Sequence, residues 1–170
     1  MVLGPIVLAM LSPPCEHARM SATFYLFALL RPREMFELEA ACEREVEAYL
    51  GAHPDCADKW GELSAGGCSV PTRQEVIAAY RLYGLDLGDA ILERLNACKS
   101  SLLIDKPGDL DTDRLQVSVL RFLIERVGQG LVMFNDYPLV PTEEALAMLR
   151  KKRGAPGFVQ ETPIEHAEDH

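Results

Sequence analysis

The chain has 170 residues, the length of one ordinary domain, and 48% of them are apolar, enough to bury a core without disulfides or a structural metal. Its net charge of −9 disfavours non-specific nucleic-acid binding, which depends on phosphate neutralisation. Charged residues at 25% and a mean hydropathy of zero exclude a wholly disordered chain.

The acidity is local. Residues 31–62 carry nine acids against four bases, and after Gly154 come Glu161, Glu165, Glu168 and Asp169 with no Lys or Arg. Five cysteines (Cys15, Cys42, Cys56, Cys68, Cys98) are an odd number without a CxxC pair. That pattern is not a secreted disulfide framework and fits a reduced, cytoplasmic protein.

Residues 1–19 open with an apolar stretch too short to span a bilayer, lacking a basic leading segment and interrupted by Pro5. They read as a leader-like or upstream extension outside the fold, with export through them as the alternative. The globular domain is expected over 20–153, and 154–170 as a disordered acidic tail.

Residues 23–30 (TFYLFALL) form an aromatic-rich apolar run stopped by Pro32, which predicts a buried strand. Residues 33–50 make the clearest amphipathic helix. Met35, Leu38, Cys42, Val46 and Tyr49 recur at spacings of three and four, and six glutamates cover the remainder. Pro32 suits its first turn and Gly51 its left-handed terminus. Residues 52–70, broken by Pro54, Gly61, Gly66 and Gly67, read as a long irregular loop. Thr72 and Glu75 form a capping box that starts a helix ending at Gly84. Asp86 is placed to cap the next helix, 87–99.

Residues 101–104 are ambiguous between a strand and a frayed end, and Lys106-Pro107-Gly108-Asp109 is a turn sequence. Asp111 or Thr112 then caps a helix to Val127 whose apolar stripe is wide enough for burial on more than one side. Gly128 ends it, and residues 131–135 follow as a short buried strand, paired with 23–30 in the preferred arrangement. Thr142 caps a last helix, 143–153, with acids first and bases last, as the helix dipole favours. The expected fold is therefore a compact α+β domain, mainly α with about five helices and two short strands. The Val-Pro-Thr repeat at Val70 and Val140 extends no further than its tripeptide.

Three constellations invite chemistry. Cys68, just before a helix, with His53 as base and Asp55 as orienting acid, would make a Cys-His hydrolase; a small buried hydrophobe is the plainer role for a free cysteine. His53, Cys56 and Cys68, with Cys42 as fourth ligand, would make a zinc site, although only His53 and Cys56 have the close spacing such sites favour. Asp109, Asp111 and Asp113 alternate like a calcium loop, but Arg114 and Leu120 stand where glycine and glutamate belong, so helix capping explains them better. The pair of helices over 73–99 could be a helix-turn-helix regulator, yet its four bases are balanced by four acids.

No glycine-rich phosphate loop, HExxH helix or GxSxG elbow occurs, and no cofactor is implied. The sequence points instead to a small acidic, non-enzymatic protein-binding protein of inhibitor, immunity, chaperone or adaptor type. Its expected docking surface is helix 33–50, through Glu34, Glu37, Glu43 and Glu47 with Trp60 beside them, onto a basic protein partner rather than nucleic acid or membrane.

Overall fold

The computed structural model describes residues 21–107, 114–133 and 139–159. Its centre is strand β1 (Ser21–Ala28), flanked by β3 (Ser100–Pro107) and β4 (Gly130–Met133). Strand β2 (Glu62–Gly67) adds outside β3, and β5 (Val140–Pro141) outside β4. The order is β2-β3-β1-β4-β5, and every pairing is antiparallel.

Strand alternation divides the core in two. Phe24, Leu26 and Ala28 face one side, with Leu63, Leu102, Ile104 and Val132. Helices α1 (Pro32–Ala52), α4 (Arg114–Val127) and α5 (Thr142–Arg150) cover that side through Met35, Cys42, Val46, Leu123, Ala145 and Leu149. Tyr25 and Phe27 face the other side, with Leu131 and Met133. Helices α2 (Val70–Leu82) and α3 (Asp89–Ala97) close it through Val76, Ala79, Tyr80 and Leu95. The result is three layers: three helices, a five-stranded sheet, two helices.

The pairing expected between 23–30 and 131–135 is present, with Leu26 opposite Val132. The five helices are present too. The expectation of two strands is corrected to five among the described residues. Residues 101–104 lie inside β3, so Lys106 and Pro107, read as turn residues, end that strand opposite Ala22 and Ser21. The 52–70 loop contains a 3-10 turn (Pro54–Lys59) and β2. Its Ser-Ala-Gly-Gly sequence has little strand preference, and pairing with β3 overrides it.

Helix boundaries shift as well. Helix α1 runs through Gly51 to a cap at His53, so Gly51 does not terminate it. Helix α2 begins at Val70, which puts Thr72 two residues inside rather than at the cap. Gly88, not Asp86, precedes α3. Helix α4 is buried along nearly its whole length, including Gln116, Ser118 and Arg121, as its wide stripe implied. Gly84 and Gly128 take positive φ (71° each) and end α2 and α4 as expected.

Two residues expected in the tail belong to the core: Ala155 and Phe158 are buried. The Ala155 N–H donates to Ser118 Oγ at 2.7 Å, and Phe158 packs edge-on against Phe122 and Tyr49. Arg121 donates to the carbonyls of Leu149 and Lys152, so a cation sits at the C-terminal end of α5, where the helix dipole favours it. The segment after α5 is thereby clamped to α4. The leader-like residues 1–19, the aspartates 109, 111 and 113 with Thr112, and residues 160–170 of the tail lie outside the described residues.

Candidate functional site

Helix α1 turns Met35, Leu38, Cys42 and Val46 into the core and its glutamates outward. Three of those carboxylates are engaged within the molecule. The Arg31 N–H donates to Glu34 Oε2 at 2.8 Å, satisfying a donor at the helix start and holding the Glu34 carboxyl below its ordinary value. Arg33 pairs with Glu37 at 3.4 Å, one turn on. Glu39 reaches sideways: its Oε2 accepts the Ala65 N–H of β2 at 3.0 Å.

That last bond marks the edge of the sheet. In an antiparallel ladder, alternate residues direct both backbone groups at the partner strand. Glu62, Ser64 and Gly66 point their groups at β3, so Leu63, Ala65 and Gly67 point theirs away from it. The Glu39 carboxylate occupies the position a further strand would take at Ala65. Edge strands are commonly blunted in such ways.

Glu43 and Glu47 are exposed and, with Glu62, take part in none of the ion pairs among the described residues. Partial burial raises the Glu43 carboxyl above its ordinary value, and the neighbouring Glu39, Glu47 and Glu62 raise it further. The four carboxylates therefore form one self-repelling strip along the β2 side of α1. On the same outward face, two turns before Glu43, lies Phe36, 52% exposed. Trp60, just before β2, is half-buried against the core. Of the docking residues expected from sequence, Glu43 and Glu47 lie in the strip, whereas Glu34 and Glu37 are paired locally. Glu39 and Glu62 were missed as members. The four-residue steps from Glu39 to Glu43 to Glu47 were readable; the approach of Glu62 depends on β2.

The Cys-His constellation is spread through the fold. Cys68 is buried in the cluster under α2 and α3, where burial raises its thiol against the opposing pull of Arg73. His53 caps α1, stacks on Tyr49 at 4.2 Å between ring centres, and directs Nδ1 at the Tyr49 carbonyl at 3.0 Å. Tyr49 packs against the opposite face of the sheet from Cys68. Asp55 is exposed in the 3-10 turn. For the zinc set, His53 and Cys56 are neighbours, the Cys56 N–H donating to the His53 carbonyl at 3.0 Å. Cys42 is fully buried under α1, its thiol pushed up to about 12 by burial, and Cys68 is across the sheet. Among the described residues no group of three His, Cys, Asp or Glu side chains is placed to hold a metal ion.

Of the four bases over 73–99, Arg73 and Arg94 are engaged within the molecule. Arg73 donates to the carbonyls of Asn96 and Cys98, and Arg94 to Glu143 of α5 at 2.7 and 2.8 Å. A shallow cleft of about 340 Å³ lies between the end of α4 and the start of α5, lined by residues including Glu125, Gln129, Thr142 and Glu143. No residue singled out from the sequence as a site lines it. Among the described residues no helix is long and apolar enough to cross a membrane. Comparison with family models, with curated proteins and with solved structures finds no match.

Proposed function

We infer that this is a protein-binding module that docks onto a basic partner through the outer face of α1. The observation that carries the reading is the strip of Glu39, Glu43, Glu47 and Glu62, in which partial burial and then the neighbouring carboxylates raise the Glu43 carboxyl. Like charges crowded on a surface work against the folded state, so folding gives no reason to keep them there. A cationic partner converts that repulsion into attraction, speeding encounter and fixing orientation. Phe36 supplies an apolar anchor on the same face, of the aromatic kind common at interface centres. The reading is an adaptor- or inhibitor-type role without chemistry of its own.

The test is capture at low salt followed by charge reversal. The protein should retain a basic partner that the double variant Glu43→Lys/Glu47→Lys releases, and retention should weaken steeply with added salt. Retention by the double variant equal to that by the native protein would contradict the reading.

A further inference from the structure

The open side of β2 lies directly beside the acidic strip. Its outward backbone groups at Leu63, Ala65 and Gly67 form a row of donors and acceptors spaced for another strand. The small side chains of Ser64, Ala65, Gly66 and Gly67 raise no wall; a Cβ built on Gly67 meets nothing within 4 Å. Among the described residues, the Glu39 carboxylate at Ala65 is the one group that stands in the way.

We propose that β2 accepts an extended basic segment of the partner as a sixth strand, its alternate side chains directed at the α1 glutamates. The proposal rests on the docking reading above and adds its geometry. An incoming backbone carbonyl replaces the Glu39 carboxylate at the Ala65 N–H. The released carboxylate then joins Glu43 and Glu47 in facing the segment. Leu63 and Ala65 turn their side chains toward the α1 side of the sheet, so every second residue of an added strand does the same. The preferred segment therefore has Lys or Arg at every other position, with backbone bonds supplying affinity and the alternating charges specificity. A helical or proline-rich basic segment lacks the free backbone groups for this.

Peptide titrations of the whole protein test it, with a short capped peptide alternating Lys and Thr. Two versions N-methylated on opposite alternate sets of amides, and an uncharged Gln/Thr version, serve as comparisons. Methylating the set that faces β2 should weaken binding by on the order of tenfold or more, because each lost backbone bond contributes several-fold, while the other set is tolerated. The uncharged peptide should bind more weakly still at low salt. Equal binding of both methylated peptides and the parent would overturn strand addition and leave charge docking standing. Binding of the uncharged peptide as tight as the parent's, with the methylation pattern kept, would remove the charge reading and leave strand addition. Absence of binding by the parent peptide would overturn both.

Discussion

The two edges of the sheet are built in opposite ways. At one end β5 is two residues long, contains Pro141, and runs directly into α5. The Thr142 hydroxyl donates to the Gly128 carbonyl at 2.7 Å and accepts the Gly130 N–H at 3.1 Å, tying β4 to the helix. Arg94 crosses from α3 to Glu143, so helices from opposite layers are joined past the end of β4. A short strand, a proline and a covering helix are the usual means of closing an edge. At the other end β2 is six residues long, small in side chain, and held at Ala65 by one carboxylate. The difference is why the proposed docking falls at β2: one edge is sealed by the fold, while at the other a single side chain covers the Ala65 N–H.

Substitutions at the closed edge should have the largest effects. A Cβ on Gly130 would lie 2.1 Å from the Phe27 carbonyl oxygen, so Gly130→Ala should destabilise by about 3 kcal/mol in denaturant unfolding, with β1 and β4 forced apart. Thr142→Val strands two backbone groups and should cost about 2 kcal/mol. A loss under ~0.5 kcal/mol for Thr142→Val would mean that edge is not held as described.

At the open edge Glu39→Ala should cost no more than about 1 kcal/mol, since water can reach the released Ala65 N–H. Its amide should then exchange faster in NMR. The Arg94–Glu143 pair is partly exposed and should contribute about 0.5 kcal/mol in a double-mutant cycle. Arg94 holds the Glu143 carboxyl below the unfolded value of 4.5, so this contribution is complete above that pH and is lost as pH falls through the lower folded value.

The smallest effect has the opposite sign. Glu43 is raised in the folded state, so the folded protein binds its proton more tightly than the unfolded chain does. Its destabilising contribution is present at neutral pH and is relieved as pH falls through the raised folded value toward 4.5. Glu43→Gln should therefore raise Tm by roughly 1 °C at pH 7 and by nothing measurable in acid. A fall in Tm at pH 7 would show that Glu43 has a stabilising partner instead.

Elements whose own residues determine burial were legible in the sequence. The α4 stripe was too wide for a one-sided helix, and the helix is buried along nearly its whole length. The aromatic run of β1 and the apolar run of β4 announced a paired core. The sheet's outer strands were hidden because neighbours define them: β2 is Glu-Leu-Ser-Ala-Gly-Gly, and β5 holds two residues, one of them Pro141. Buried Phe158 sat in a Gly- and Pro-rich stretch, and its order comes from Tyr49 and Phe122, which it packs against, and from Ser118 and Arg121, which hold the segment around it. The candidate surface was half legible. Helical spacing displayed the glutamates of α1, and even the Arg31–Glu34 and Arg33–Glu37 pairs lie at readable steps. The Glu39 bond to Ala65 spans 26 residues of sequence and becomes visible only with β2 in place.

Amide hydrogen exchange at Leu63, Ala65 and Gly67 reports on whether β2 is an open edge that can take a further strand beside the α1 acids. In the free protein Ala65 should exchange more slowly than Leu63 and Gly67, because among the described residues Glu39 covers its N–H alone of the three. With the alternating Lys/Thr peptide in excess, all three should become protected while the amides of Ser64 and Gly66, already directed at β3, change little. Unchanged exchange at Leu63 and Gly67 with the peptide bound would rule out strand addition at β2.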